Sequence, residues 1–248
     1  NILIQPDGKI LLCGYIYDIG CNCNYNTMFR TDECGNVDSS FGVNGLVRHT
    51  FDQRNSGTFY VLQPDGKILV SGYKNPESAI IRLNEDGTLD SSFGVSGKAF
   101  VKPSLFGPGA SRVYGLKIGL SSDNSILAAG VYAENTIIHT GFVIRFNSDG
   151  QIDSTFGENG IPLFYGLTYH ISDLFVLPTD EILVLCNFQD AVSNRPKATL
   201  IKWLPSGKID ASFANQGFAQ LTIGNKGSTC GSGFLQPDGK VVVLSVFK

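Results

Sequence analysis

The chain has 248 residues, of which 42% are hydrophobic, 17% are charged and 29 are glycines, and its formal net charge is −3. This composition excludes a disordered protein, which is less apolar, and a helical bundle, which tolerates far less glycine. With no cluster of basic residues we expect no nucleic-acid partner, and no apolar run approaches the roughly 20 residues of a membrane span. The first residues include neither an initiator methionine nor a signal-peptide layout, so we expect a mature or truncated chain.

An internal repeat organises the whole sequence. Its first anchor reads QPDGKILLCG from Gln5 to Gly14 and returns, with variations, at residues 63, 121, 177 and 236. A second anchor, such as NEDGTLDSSFGVSG around Gly87, lies between successive copies of the first. The two anchors alternate without a linker, so we predict a single repeat domain, or part of one, with units at approximately 1–57, 58–115, 116–171, 172–230 and a partial unit at 231–248.

Each complete unit is predicted to supply four short strands. Pro-Asp-Gly in the first anchor favours a tight turn between two apolar runs, as around Asp65. A β-branched run, Ala79–Asn84, ends at Glu-Asp-Gly, and a glycine such as Gly97 precedes the fourth run. Because no long stretch has a helical period, we predict an all-β protein, a β-propeller with four full four-stranded antiparallel blades and half of a fifth.

The double anchor resembles a known repeat. QPDGKILVSG followed by IRLNEDGTLDSSFGVSGK is similar to the delta-sixty repeat, a β-propeller family of unknown function found mostly in large secreted or surface proteins of bacteria. The resemblance covers essentially the whole chain, although the third and fourth units lack the Pro-Asp-Gly turn. It implies a propeller fold and a secreted or cell-surface location in a bacterium, and it implies no catalytic or ligand-binding residue.

Charged and aromatic residues recur at fixed places in the second anchor. A ring of ligand-binding charge is one interpretation of the recurring charges. We favour a structural one, because the turn brings cation and carboxylate together within each blade, where they can satisfy each other and the turn amides. We expect the phenylalanines to pack between neighbouring sheets. The cations are Arg30, Arg82, Arg145 and Lys202, the carboxylates are Asp38, Asp90, Asp153 and Asp210, and the aromatics are Phe41, Phe93, Phe156 and Phe213.

Two metal hypotheses are weak, and we expect no cofactor. Segments such as Asn147–Asp153 place oxygen-bearing side chains at alternate positions, as calcium loops do, but the segment at Asn84 has Val95 where an EF-hand needs glutamate. Cys21 and Cys23, with Cys13 and Cys34, have the wrong spacing for a structural zinc site. Whether calcium binds the Asp-Gly turns stays open.

The long connections between strands are predicted to share the end of the propeller opposite the short turns. They vary in length between units, and variable loops on a rigid scaffold commonly carry binding. Aromatic side chains are favoured anchors for proteins and sugars. The candidate binding residues are Tyr17, Tyr25, Tyr73, Tyr132, Tyr169 and Phe188.

These residues favour a non-enzymatic, secreted or surface-exposed propeller that binds a protein or a glycan or acts as a structural module. The alternative is a carbohydrate-active propeller enzyme, a glycosidase or lyase, which as a glycosidase needs two converging carboxylates. The sequence contains no recognisable nucleophile or P-loop motif, and no residue is assigned as catalytic. The loop carboxylates that could supply a pair are Asp18, Glu77, Glu134, Asp173 and Asp190.

The cysteines and the partial fifth unit give two further predictions. Disulfides are feasible between Cys186 and Cys230 on adjacent blades, and between Cys13 and either Cys21 or Cys23. The fifth unit has only two strands, so an open arc would leave the flanks of its terminal blades bare. We therefore expect further blades of a longer protein, or a bound partner, to cover them.

Overall fold

The computed structural model describes residues 1–20, 23–49, 51, 59–134, 138–157, 160–164, 168–189, 196–221 and 228–247. Within these ranges the chain forms four antiparallel four-stranded sheets and one two-stranded sheet. The only helical element there is a short 3-10 helix at Pro103–Phe106. The predicted all-β fold of four full blades and a half blade is therefore confirmed.

In each sheet the strands are neighbours in chain order. Blade 1 contains β1 (Ile2–Ile4), β2 (Ile10–Asp18), β3 (Cys23–Thr31) and β4 (Leu46–His49). Blade 2 contains β5 (Phe59–Leu62), β6 (Ile68–Lys74), β7 (Glu77–Leu83) and β8 (Lys98–Val101). Blade 3 contains β9 (Ala110–Leu120), β10 (Ile126–Glu134), β11 (Ile138–Phe146) and β12 (Leu163–Phe164). Blade 4 contains β13 (Thr168–Val176), β14 (Ile182–Gln189), β15 (Pro196–Trp203) and β16 (Phe218–Gln220), and half-blade 5 contains β17 (Ser228–Leu235) and β18 (Val241–Phe247).

The sheets of blades 3, 4 and 5 begin before the unit boundaries predicted from the anchors. β9 starts at Ala110, β13 at Thr168 and β17 at Ser228. Their first strands have 8 to 11 residues, whereas β1 has 3 and β5 has 4. Each first strand therefore lies before the anchor of its unit, and the longer ones start earlier than the anchor spacing predicts.

The turn residues explain why the chain reverses where it does. In the Pro-Asp-Gly turns, Gly8 and Gly66 have φ values of 86° and 82°, a region that glycine enters without strain. Where the third and fourth units lose this glycine, Asn124 and Asp180 occupy the same left-handed region at 65° and 61°. Asn and Asp tolerate that conformation better than other side chains do. The turn is thus kept although its sequence changes.

The hydrophobic core lies between successive sheets. One cluster joins blades 1 and 2, a second joins blades 2 and 3, a third joins blades 3 and 4, and a smaller one joins blade 4 to half-blade 5. Because side chains alternate across a strand, neighbouring residues of one second strand serve two different interfaces. Ile126 packs toward blade 2, and Leu127 packs toward blade 4.

The first strands of successive blades meet one another. β9 packs against β5 and β13, and β13 packs against β17. The first strands therefore line the centre on which the blades converge, as in other propellers. No helix in the described part of the chain is long and apolar enough to cross a membrane.

Candidate functional site

The short turns gather at one end of the propeller, which we call the turn end. The turn after each first strand lies beside the turn after each third strand, since Lys67 Nζ is 3.1 Å from Asp90 Oδ2. Here the recurring cations meet the recurring carboxylates. The closest nitrogen–oxygen separations are 2.9 Å for Arg30–Asp38, 2.8 Å for Arg82–Asp90, 2.7 Å for Arg145–Asp153 and 3.2 Å for Lys202–Asp210.

Each of these aspartates also caps its own turn. Asp90 Oδ1 accepts hydrogen bonds from the backbone N–H of Ser92, at 3.1 Å, and from its hydroxyl, at 2.6 Å. The hydrogen bonds from Ser40 are the largest contribution that lowers the pKa of the Asp38 carboxyl, to about 2. Burial works against ionisation of Asp90, yet the bonds from Ser92, Lys67 and Arg82 outweigh it and lower its pKa. The structural interpretation of the recurring charges is confirmed by these contacts.

The arginines do more than pair within their own blade. Arg30 Nη1 donates to the carbonyl oxygen of Glu85 at 2.7 Å, and Arg82 Nη1 donates to that of Ser148 at 2.5 Å. Both acceptors lie in the turn of the next blade. Arg145 Nη1 reaches Pro205 of blade 4 in the same way, at 3.0 Å. Each guanidinium therefore joins two blades, a contact that reasoning within one unit did not predict.

The recurring phenylalanines and the glycines after them complete this contact. The guanidinium carbons of Arg30, Arg82 and Arg145 lie 4.6 to 4.7 Å from the ring centroids of Phe41, Phe93 and Phe156. The backbone N–H groups of the next residues donate across the blade boundary at 2.7 to 2.8 Å. These bonds run from Gly42 to Asp86, from Gly94 to Asp149 and from Gly157 to Ser206.

Blade 4 departs from this pattern. Lys202 replaces the arginine and binds Glu181 at 2.8 Å, within its own blade, as well as Asp210. Phe213 is half-buried, 5.9 Å from Lys202 Nζ, whereas Phe93 is fully buried. Ala214 stands where the other blades have glycine and still has a φ of 46°. Among described residues, half-blade 5 has no turn after a third strand, the turn whose carbonyls accept these bonds in the other blades.

The opposite end, which we call the loop end, carries the predicted aromatic anchors. Tyr17 lies near the end of β2 and is 52% exposed, next to Tyr15 at 64% and Ile19 at 84%. Tyr25 on β3 pairs with Ile16 and is half-buried. This hairpin of blade 1 therefore presents a cluster of exposed aromatic and aliphatic side chains, which we call the hairpin cluster and define as Tyr15, Tyr17 and Ile19.

The other predicted anchors lie in different surroundings. Tyr73 is half-buried, and its hydroxyl donates to Asn75 Oδ1 at 2.8 Å. Phe188 is half-buried beside Phe218, with the ring centroids 6.3 Å apart, and lines an open pocket. The side chain of Tyr169 lies outside the described residues.

Tyr132 does not fit the prediction of a loop-end anchor. Its side chain is 3% exposed and stacks on Phe106, with the ring centroids 4.4 Å apart. The reason is the 3-10 helix at Pro103–Phe106, which brings Phe106 onto the ring. The ring is therefore used in core packing.

A charged cluster lies near the centre, on the first strands of blades 3 and 4. Lys117 pairs with Ala129, and Asp173 pairs with Leu185, and these two partners hold the same position in their anchors. Lys117 and Asp173 are therefore equivalent residues of adjacent blades. With His170 on the same strand as Asp173, they form what we call the axial cluster.

The surroundings of the axial cluster change its ionisation. Burial raises the pKa of the Asp173 carboxyl, against the opposing effect of the Gly233 N–H, which donates to Oδ2 at 2.7 Å. Burial lowers the pKa of Lys117, whose Nζ lies 4.8 Å from the ring centroid of Phe59. His170 remains accessible, and desolvation and the Lys117 charge lower its pKa. Perturbed groups of this kind are concentrated at functional sites, although structural ion pairs produce them too.

The other carboxylates that the sequence suggested for a catalytic pair have surroundings different from those of Asp173. Asp18 caps its own turn, because its Oδ1 accepts from the Gly20 N–H at 2.8 Å. Glu77 begins β7 opposite Lys74. Glu134 Oε1 accepts from the Tyr132 hydroxyl at 3.4 Å, and Asp190 lies outside the described residues.

The described cysteines are free thiols. Cys230 Sγ lies 3.4 Å from the carbonyl oxygen of Cys186, so the predicted pair is adjacent, but it is not bonded. Cys13 is also unbonded, and burial raises its pKa to about 12. Its proposed partners, Cys21 and the side chain of Cys23, lie outside the described residues. No group of three or more metal-binding side chains occurs in the part of the chain that is described.

Comparisons with known proteins agree with this architecture. Residues 5–41, 63–93 and 121–156 match a family model described as "Domain of unknown function (DUF5122) beta-propeller". Each matched segment begins at a first anchor and ends at the phenylalanine of the following second anchor. The match supports a β-propeller family of unknown function, and no curated protein shows significant similarity to the chain.

Solved structures with the same fold include proteins of different activities. A protein of unknown function from Dyadobacter fermentans has a TM-score of 0.59 at 9% identity, and the match covers 98% of this chain and 72% of the other chain. An ulvan lyase of polysaccharide lyase family PL25 has a TM-score of 0.53 at 8% identity, over 98% and 62%. A bifunctional GH43-CE protein from Bacteroides eggerthii has a TM-score of 0.51 at 12% identity, over 84% of this chain and only 24% of its own. At these identities the likeness shows the fold alone.

Proposed function

We propose that this protein is a non-enzymatic β-propeller that binds a glycan or a protein through the loop end of blade 1. The observation that carries the proposal is the hairpin cluster, in which Tyr15, Tyr17 and Ile19 are each more than half exposed. Aromatic side chains stack on sugar rings and serve as anchors in protein interfaces, because they offer a large rigid surface. Tyr hydroxyls at the edge of such a surface also supply hydrogen bonds.

The two ends use their residues differently, and this difference supports the proposed binding site. The recurring charged residues of the turn end form bonds within and between blades, so few of their donors and acceptors remain available to a ligand. Tyr17 and Ile19 of the hairpin cluster recur in no other blade, although Tyr15 corresponds to Tyr73 of blade 2, and the core cluster between blades 1 and 2 contains none of the three. Non-recurring loop residues on a recurring scaffold are where binding specificity is usually found.

The setting and partners belong to the same proposal. We place the protein outside the cell or on the cell surface of a bacterium, where large polysaccharides and surface proteins are the available ligands. Further blades of a longer protein would act as structural partners at the flanks of the arc.

The test is a glycan array followed by titration calorimetry on the glycan with the strongest signal. We expect Tyr17→Ala to weaken binding about tenfold or more, the effect of removing an interface anchor. The matched control is Val95→Ala, which truncates an exposed apolar residue at the turn end and is expected to leave affinity unchanged. An array without any signal, and no binding to bacterial surface proteins, would contradict the proposal.

A second candidate, a carbohydrate-active enzyme, is favoured by the axial cluster. A carboxyl with a raised pKa can hold a proton and act as a general acid, and Asp173 is such a group at the centre of the blades. Lys117 could stabilise negative charge on a bound acidic sugar. The ulvan lyase structure was solved with a glucuronic acid–rhamnose 3-sulfate unit bound, which makes that oligosaccharide a reasonable probe.

Turnover separates this candidate from the first. If the chain is an enzyme, it cleaves the oligosaccharide, Asp173→Asn abolishes cleavage, and Glu77→Gln, a neutralised carboxylate of the loop end, retains it. Absence of turnover with the wild-type chain, together with binding that survives Asp173→Asn, would eliminate the enzyme candidate and favour the binding module.

A further inference from the structure

A pocket lies on the outer side of blade 3, where this blade meets a turn of blade 4. Its volume is about 540 Å³, which is within the range of about 300–1,000 Å³ that is typical of sites for small molecules. The connection between blades 2 and 3, the residues around β12 and the turn after β15 form its wall. We call it the outer pocket and define it by Phe106, Ile161, Leu163, Trp203 and Lys208.

The apolar part of this wall is held in place by the core. Phe106, Ile161 and Leu163 are half-buried and pack against the core cluster that joins blades 2 and 3. The Phe106 ring also stacks on Tyr132 at 4.4 Å and lies 4.7 Å from the ring of Phe142. The apolar body of a ligand would therefore meet a surface that is already formed, and its burial there is favourable.

Trp203 places a hydrogen-bond donor in the wall of the outer pocket. Its side chain is 0% exposed, and its ring lies 5.3 Å from that of Phe164 in an edge-on contact. The indole Nε1 is buried, and no described residue accepts a hydrogen bond from it. Buried donors are nearly always paired, so this N–H is one that an acceptor atom of a ligand would satisfy.

The turn after β15 places a cation beside this donor. Trp203 forms a bridge with Ile209, and the Leu204 N–H donates to the carbonyl oxygen of Lys208 at 2.8 Å. Lys208 is exposed and lies next to Trp203 in the wall of the outer pocket. An ammonium group and an indole N–H together favour an oxygen that carries negative charge.

The donor and the cation both occur once among the equivalent positions of the four blades. Residues that a repeat needs for its construction recur, whereas residues that occur once are where specificity is usually found. Packing alone is satisfied in the other blades without an indole or a charge at these positions. The counterparts of Trp203 are Thr31, Leu83 and Phe146, and those of Lys208 are Asn36, Thr88 and Gln151.

We propose that the outer pocket binds a small amphipathic carboxylate. Its apolar body lies against Phe106, Ile161 and Leu163. Its carboxylate accepts a hydrogen bond from Trp203 Nε1 and pairs with the ammonium group of Lys208. The hairpin cluster belongs to blade 1, so this site and its ligand are separate from the proposed recognition of a glycan or a protein.

The experiment titrates the 248-residue chain with octanoate, decanoate and phenylacetate and follows tryptophan fluorescence. Trp203 is the only tryptophan in the sequence, so the signal comes from the site itself. We expect a saturable change with a dissociation constant below about 1 mM for at least one of the three carboxylates. 1-Octanol has the apolar chain of octanoate without its charge, and we expect it to bind about tenfold more weakly than octanoate.

Substitutions separate the contributions of the two polar groups. Lys208→Gln is expected to weaken carboxylate binding about tenfold, whereas Lys208→Arg, which keeps the charge, is expected to bind nearly as the wild type does. Lys240→Gln, at an exposed lysine of half-blade 5, is the matched control and should leave affinity unchanged. Trp203→Phe keeps a ring but removes the donor, and calorimetry should show binding about fivefold weaker.

Circular dichroism confirms beforehand that each variant is folded. The proposal is overturned if none of the three carboxylates gives a saturable change, if Lys208→Gln binds as tightly as the wild type, or if 1-octanol binds as tightly as octanoate. A folded Trp203→Phe variant with wild-type affinity would overturn the hydrogen bond assigned to Nε1.

Discussion

The two ends of this propeller are built from the same strands but use their residues differently. At the turn end, Arg82 holds Asp90 in its own blade, lies over Phe93 and reaches the turn of the next blade. The same set of contacts occurs in blades 1 and 3. At the loop end, the exposed Tyr17 of blade 1 has no tyrosine counterpart in the other blades, and Tyr15 has one only in blade 2, the half-buried Tyr73.

This difference separates construction from recognition. A residue that every blade needs is held by every blade's contacts, so its recurrence reports on stability. An exposed residue that occurs only once is not required by the repeated scaffold, so it can be adapted to a ligand in evolution. Substitutions at the turn end should therefore lower the free energy of unfolding, and substitutions at the loop end should change binding.

The largest expected effect is on Phe93. Phe93→Ala removes a fully buried ring that fills the boundary between blades 2 and 3, and we expect a loss of about 3–5 kcal/mol in the free energy of unfolding. The matched control is Phe213→Ala in blade 4, where the ring is half-buried, and its cost should be about half as large. Urea denaturation measures both, and equal losses would contradict a role specific to blade boundaries.

Arg82→Lys tests the bond between blades. Lysine keeps the positive charge beside Asp90 but lacks the planar fork that reaches both Asp90 and the Ser148 carbonyl. We expect a loss of about 1.5–3 kcal/mol, the contribution of a hydrogen bond that involves a charged group. Lys202→Arg in blade 4 is the converse control and should change stability little, because the described part of half-blade 5 has no turn after a third strand to supply the accepting carbonyl.

Much of this architecture was predictable because the repeat is local. The turn glycines, the alternation of buried positions and the pairing of Arg82 with Asp90 follow from residues close together in sequence. The bond from Arg82 to Ser148 spans 66 residues and depends on how neighbouring blades stack, so no pattern within one unit indicates it.

For a related reason the sequence did not place Asp173 beside Lys117 and wrongly predicted an exposed Tyr132. Lys117 and Asp173 pair with Ala129 and Leu185 before either sheet shifts register, so the spacing from the turn places each of them. Only the packing of β9 against β13 brings the two together, and no pattern within one unit indicates it. Aligning the first strands by the strands they pair with could have found Lys117 and Asp173. Tyr132 is covered by Phe106, which lies in a connection with no counterpart in the other units.

Acid should weaken the turn end before the loop end. The pKa values of Asp38, Asp90, Asp153 and Asp210 are all lowered in the folded chain. Their stabilising contribution is complete above the ordinary aspartate pKa of about 3.8 and is lost as the pH falls through the folded value, about 2 for Asp38. We expect the melting temperature to fall between about pH 4 and pH 2, less steeply in Asp90→Asn. An equally steep fall in that variant would be inconsistent with this account.

The smallest expected effect on stability is at the hairpin cluster. Tyr17→Ala removes an exposed side chain, and we expect a change within about 0.5 kcal/mol in the free energy of unfolding. A loss above about 2 kcal/mol would show that the hairpin is part of the core and would contradict the claim that the loop end contributes little to stability. The same urea series measures it.

Native-state hydrogen exchange of single amides tests the division between the two ends most directly. The N–H groups of Gly42, Gly94 and Gly157 bond across blade boundaries, whereas that of Gly20 bonds to an exposed carboxylate in its own turn. The account predicts that the three boundary amides exchange only when the whole domain unfolds and that Gly20 exchanges through local opening. Boundary amides that exchange as fast as Gly20 would contradict the claim that the recurring residues hold the blades together.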